Sequence, residues 1–167
     1  MEKRQAQGGW SRRQTFRLLG WLVLPLMWSG CADAAVLETI PLQVGGQTLT
    51  VEVAISQAEQ ARGLMYRKSM PESAGMLFVY PVPQPVAYWM KNTYLPLSIA
   101  FIDSSHKIVN MSDMAPNNET KTYPSYGPVQ YVLEVNQGYF EKHGIKPGDV
   151  VTFTLPEAMK KRVFARE

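Results

Sequence analysis

Leu49, Val51, Val53 and Ile55 alternate with Thr50, Glu52 and Ala54. A two-residue period commits one side of an extended chain to burial, so this run is a strand with one covered face. Gly45 and Gly46 join it to a second β-prone segment, Val36 to Val44. A Gly-Gly pair supplies the positive φ that a two-residue hairpin turn requires, and the two segments are expected to pair as a hairpin. Ser56, Gln57, Ala58 and Glu59 then form a Ser-x-x-Glu capping box, which starts a helix running from about Gln57 to Arg67. Helical spacing puts Ala58, Arg62 and Met65 on one side, which brings Arg62 near the face that meets the sheet. Gly63 falls inside this expected helix, at a cost of roughly 1 kcal/mol relative to Ala.

The remaining chain reads mostly as strands. Met76 to Tyr80 is one, and Pro81, Pro83 and Pro85 enforce an extended connection after it, because proline lacks the ladder amide. Val86 to Met90 resumes a strand, Leu97 to Ile102 is an apolar core strand, and Asp103 to His106 turns the chain back into Lys107 to Met114. Ala115 to Pro128 is the longest irregular stretch, of a length that in compact domains is often functional. Val129 to Val135 is a strand, Asn136 is placed to cap a short helix ending at His143, and Val150 to Leu155 is the last strand. The expected fold is mainly β (α+β): a single-domain antiparallel β-barrel or sandwich with one packed helix and one short helix.

The first thirty or so residues are unlike the rest. Arg4, Arg12, Arg13 and Arg17 form a basic head before an apolar run from Leu18 to Trp28. About eleven apolar residues make a signal-peptide core but fall short of the roughly 20 that span a bilayer. Two processing routes fit. Ser29 and Gly30 precede Cys31, a lipidation candidate, while Ala32 and Ala34 make the small-x-small pattern that releases a chain starting at Ala35. The organisation is then a signal peptide over 1–34, or 1–30 with a lipid on Cys31, a β-rich domain over 35–156, and a basic, solvated tail over 157–167. Export to the periplasm follows, either soluble or lipid-anchored, and that anchor is the sole expected contact with a membrane.

The formal net charge of +3 belongs mostly to the leader, since residues from Ala35 onward carry twelve Lys plus Arg against twelve Asp plus Glu. A phosphate-binding surface needs a concentrated basic excess, so nucleic acid is excluded as a partner. Cys31 is the single cysteine, leaving the domain without disulfide or thiol chemistry. His106 and His143 are far apart and lack further ligands at zinc spacing. Met65, Met70, Met76, Met90, Met111 and Met114 read as adaptable core filler ahead of a copper site. No metal and no cofactor is expected.

Tyr88 to Thr93 carries the strongest site signal. Trp89, Met90, Lys91, Asn92 and Thr93 set a ring and a thioether beside an ammonium, an amide and a hydroxyl at the mouth of the core strand. One reading is a ligand pocket with a Trp wall and a Lys charge; the other is a strand end whose Trp fills the core while Asn92 and Thr93 bond a turn. Arg62 and Glu134 are candidate partners in a buried ion pair, and Asp103 is either a turn acceptor or a base. Acid-base chemistry would fall to Asp103 or Glu134 with Lys91 stabilising negative charge. No Gly-x-Ser-x-Gly or His-Glu-x-x-His motif accompanies them.

A family resemblance rests on Arg62, Gly63, Leu64, Met65 and Arg67; Gly75 to Phe78; Trp89 to Thr93; Pro96 and Leu97; Phe101 to Asp103; Leu133 and Glu134; and Gly144, Gly148 and Asp149. Together they resemble the domain of unknown function 192 family over roughly Leu49 to Phe153. The family's pattern has Asp after the Pro-Leu pair, where this chain has Ser98. The resemblance implies a small, often exported bacterial or archaeal protein and no particular reaction. The expected function is a monomeric exported module whose ligand-binding residues are Arg62, Trp89, Met90, Lys91, Asn92 and Thr93, taking a small polar or anionic ligand or a peptide end. The competing expectations are a hydrolase-like enzyme on envelope material and an accessory protein that binds another envelope protein.

Overall fold

Strands β1 (Thr39–Val44) and β2 (Gln47–Ala54) pair antiparallel with Val44 opposite Gln47, in a computed structural model that describes residues 36–164. Gly45 and Gly46 turn between them at φ of 56° and 72°, the positive values that the expected hairpin demands. The basic head, the run Leu18 to Trp28, Cys31 and Ala34 lie outside the described residues.

Helix α1 (Gln57–Arg62) starts on the capping box: Ser56 Oγ accepts from the Glu59 amide, and the Glu59 carboxylate accepts from the Ser56 amide. It stops five residues sooner than expected. Gly63 is not inside the helix but ends it, at φ 46° and ψ −134°, a conformation that suits a residue without Cβ. Beyond that stop, Arg67 grips Glu52 on β2 with both guanidinium nitrogens, at 2.5 and 2.7 Å.

The crossover through α1 returns the chain to β3 (Ala74–Gln84), parallel to β2. Pro81 and Pro83 stand within this strand, in a stretch where its register against β8 (Val129–Asn136) shifts between Val79 and Gln84. The missing amides therefore fall where the ladder is already irregular. With β5 (Leu97–Ile102), β6 (Ile108–Met114) and β9 (Thr152–Phe153) the sheet runs β6-β5-β8-β3-β2-β1-β9 and curls as a half-barrel. The fold is mainly β, of the α+β class, with one parallel pair in an otherwise antiparallel sheet. A separate ribbon joins β4 (Ala87–Tyr88) to β7 (Tyr123–Pro124), so the strand expected over Val86 to Met90 is shorter and the irregular loop contributes its partner.

Both faces of the sheet are covered. A broad apolar layer takes Leu42, Val51, Leu77, Ala100, Leu133 and Val135; a narrower one takes Met76, Phe78, Leu97, Ile99, Phe101 and Val132. All six residues of β5 are buried because it lies between these layers. Two helices close the broad layer: α2 (Tyr139–Lys142) through Tyr139 and Phe140, and α3 (Glu157–Phe164) through Met159 and Val163.

Both helices depart from expectation. Asn136 does not cap α2, which starts from Gly138 without a side-chain cap; its amide instead donates to the carbonyls of Met70 and Pro71 at 3.1 and 3.0 Å. The basic end is helical through Phe164, with Lys161 and Arg162 exposed as expected but its apolar side packed on the sheet. Met159 and Val163, four apart, share one helix face and bury it, while Arg162 donates to Glu59 at 2.7 Å.

Candidate functional site

Alternate residues of β8 face opposite layers. Val132 belongs to the narrow layer, and Glu134 follows on the same side, opposite Met76 of β3 and Ile99 of β5. Glu134 is 5% exposed and has no hydrogen-bond or ion-pair partner among the described residues. Burial alone lifts its carboxyl from 4.5 to about 8, because a low-dielectric site disfavours the charged form. No side-chain polar atom of the described residues is both sealed from solvent and unbonded, and the Glu134 carboxyl opens onto a cavity of about 170 Å³.

The cavity lies where the end of α1 meets β3 and β4. Gln60, Arg62 and Gly63 form one side and Phe78 and Tyr80 another. Gln60 pins the helix to the sheet by donating to the Val79 carbonyl at 3.0 Å. Tyr88, Trp89 and Thr93 complete the wall. The Tyr80 and Tyr88 hydroxyls are 2.7 Å apart, and the Phe78 and Tyr88 rings meet edge to face at 5.1 Å. Burial raises the pKa of both phenols, the Tyr80 hydroxyl adds to the rise at Tyr88, and the Glu134 charge adds to it at both.

Of the residues expected from sequence, Arg62, Trp89, Thr93 and Glu134 share this wall. The expected Arg62–Glu134 ion pair is not formed: no contact within 4.0 Å joins them, and Arg62 is exposed at the helix end. Met90 is fully buried in the narrow layer and is packing, not a ligand contact. Asn92 holds the fold. At φ 51° it accepts the Tyr66 amide at 2.8 Å and donates its own side-chain amide to the Tyr66 hydroxyl at 2.9 Å. Lys91 stands outside the cavity wall, its ammonium 5.4 Å from the Trp89 ring centroid and 3.8 Å from Glu119. Trp89 and Thr93 thus line the wall, the Trp89 ring exposed where the alternative reading had it fill the core, while Met90 and Asn92 belong to the scaffold. The loop after β6 straps its back, with Asn118 accepting the Met90 amide at 3.1 Å and Asn117 donating to the Thr93 carbonyl at 2.9 Å.

Asp103 is not brought to the cavity. It accepts from the Ser105 amide and hydroxyl and from the Lys107 amide at 2.8, 2.7 and 3.0 Å. Slight burial opposes its ionisation, but these donors outweigh it and hold the carboxyl below its usual range. Ser98 is buried, donates to Asp113 on the neighbouring strand and accepts the Gly138 amide at 2.9 Å. A carboxylate therefore stands beside Ser98, contributed by β6. Tyr80 and Gln60 were not among the expected site residues, although strand periodicity puts Tyr80 on the face of Met76 and Phe78. Among the described residues no three His, Cys, Asp or Glu side chains gather as metal ligands, and no helix is long and apolar enough to cross a membrane.

The model of the DUF192 family, described as uncharacterised, matches residues 40–153. A crystal structure titled as a "putative transcription regulator" from Sinorhizobium meliloti 1021 is 38% identical, with 70% of this chain and 95% of that one covered at a TM-score of 0.67. A protein of unknown function from Novosphingobium aromaticivorans DSM 12444 is 35% identical, with 72% and 89% covered at a TM-score of 0.69. No curated protein matches.

Proposed function

Because the chain belongs to the DUF192 family, which comes with no assigned reaction, we propose its function from the site itself: a binding module that holds a small polar ligand between the end of α1 and the narrow layer of the sheet. The observation that carries this reading is Glu134, a buried carboxyl with no protein partner that opens onto a cavity. A carboxyl without a protein partner that opens onto a cavity takes its hydrogen bonds from what occupies that cavity, water or a polar ligand. Aromatic walls with few convergent polar groups are the usual lining of small-molecule sites. The leader's basic head and short apolar run support export, so the ligand is one met in the envelope. Catalysis has one supporting observation, a Glu134 proton retained up to about pH 8. Against it, the Thr93 hydroxyl on the wall is committed to the Lys91 carbonyl at 3.0 Å, the Tyr80 and Tyr88 hydroxyls bond each other, and Lys91 is turned to Trp89 and Glu119. The regulator named in the Sinorhizobium title gains no support from the even charge of residues 35–167.

Native mass spectrometry of the protein purified gently from a bacterial periplasm tests the reading. A mass excess is expected that disappears on denaturation and refolding and is absent from Ala87→Trp, since Ala87 is an exposed wall residue whose enlargement plugs the cavity. A bare mass in both proteins would move the reading to surface recognition of another envelope protein.

A further inference from the structure

The pocket reading leaves the class of ligand open, and the wall narrows it. The charged side chains lining the cavity are Arg62, exposed at the helix end, and Glu134, shut away on the sheet. The uncharged wall combines the buried Phe78 and Leu64 with the half-buried Tyr80 and Tyr88, and the exposed Trp89 ring stands at the mouth. Aromatic faces carry negative potential and attract cations, most strongly where water is excluded. The Trp89 ring already has one ammonium near it, that of Lys91 at 5.4 Å. A buried carboxyl that lacks any protein donor, beside aromatic rings, suits a cation that brings its own donors, whereas an anion would meet an ionisable acid.

Resting on the binding reading above, we propose that the ligand group seated against Glu134 is a protonated primary amine, as in a free alkylamine or a lysine side chain. The ammonium supplies the opposite charge that burial denies Glu134, and its hydrogens supply the missing donors. Arg62 is exposed at the rim, where screening by solvent limits its repulsion. Tyr80 and Tyr88 stay neutral below pH 10, since both are raised above the ordinary phenol value. Glu134 is then the group that titrates on binding. It is protonated in the empty site below about pH 8, and an arriving ammonium expels that proton to solvent while the amine keeps its own.

Calorimetry of the full chain with butylammonium, butanol and butyrate, each in two buffers of different ionisation enthalpy, tests this. Butylammonium is expected to bind with release of nearly one proton per ligand at pH 6.5, and to tighten roughly fifty-fold between pH 6 and pH 8 for a carboxyl titrating near 8. Glu134→Gln should lose at least about ten-fold in affinity and all of the proton release. The proton count of the parent protein is a readout that does not depend on how that variant folds. A parallel titration with Nα-acetyl-lysine amide separates the two sources: tighter binding than butylammonium assigns a lysine side chain, weaker binding a free amine, and both keep the proposal. Butyrate or butanol binding as well as butylammonium would overturn the amine and leave the pocket reading standing. Silence from all three probes would overturn the amine too, while the retained mass described above judges the pocket on its own.

Discussion

Leu133 and Glu134 are neighbours on β8, 0% and 5% exposed, and they face opposite layers of one sheet. Leu133 joins a layer closed by helices, where Tyr139, Phe140, Met159 and Val163 present side chains that fill the space. Glu134 faces a layer closed by the end of α1, a helix with no buried residue, and by the chain from Trp89 to Thr93. Irregular backbone cannot interdigitate as a helix face does, and it leaves a cavity with an unpaired carboxyl at its base. The contrast sets a broad layer that is filled against a narrow one that keeps a cavity.

Adjacent substitutions put the contrast under the greatest strain. Leu133→Ala should cost about 2–5 kcal/mol, the loss of a buried aliphatic plus the cavity it leaves. Glu134→Leu should be neutral or stabilising, because it removes an unpaired buried acid. Urea unfolding of both at pH 7.5 measures the difference, and equal losses would erase the distinction between layers.

The next effect is one of pH. Glu134 titrates at 4.5 in the open chain and near 8 when folded, so between these values the folded state holds more protons and stability falls as pH rises. The slope is at most about 1.4 kcal/mol per pH unit. Glu134→Gln should flatten it between pH 5 and pH 8 in the same unfolding experiment, and an unchanged slope would mean that Glu134 is not the buried acid described here.

Gly75→Ala probes the seam beneath the site, where a Cβ would stand 2.6 Å from the Glu134 carbonyl oxygen. Two backbones would have to part, and a loss of about 1–3 kcal/mol in thermal or urea unfolding is expected. Lys91→Ala should be the mildest change. Its contact with Glu119 is long at 3.8 Å and both side chains are about half exposed, so the loss should stay below about 1 kcal/mol by the same measurement. A larger loss would draw Lys91 into the structural framework of the site.

Much of the fold was legible because it is written in short-range pattern. The alternation at Leu49 to Ile55, the Gly45-Gly46 turn, the Ser56–Glu59 capping box and the apolar run Leu97 to Ile102 each act through neighbours a few residues away, and each forms where expected. The failures share a cause. Asn136 looks like a helix cap, but the carbonyls of Met70 and Pro71, more than sixty residues earlier, claim its amide. The basic end looks solvated, yet Met159 and Val163 find the broad layer that β1, β2 and β3 build.

The site divides along the same line. Local sequence by itself determined that Trp89 to Thr93 ends a strand beside polar groups, that Gly63 stands next to Arg62, and that Glu134 lies on a β8 face. Only the tertiary structure decided that Glu134 goes unpaired, that Arg62 stays at the rim, that Met90 and Asn92 serve the scaffold, and that Tyr80 joins Tyr88 at 2.7 Å. Periodicity assigns a residue to a face, but the dielectric around a carboxyl depends on what other segments bring to that face. No spacing within one segment records this.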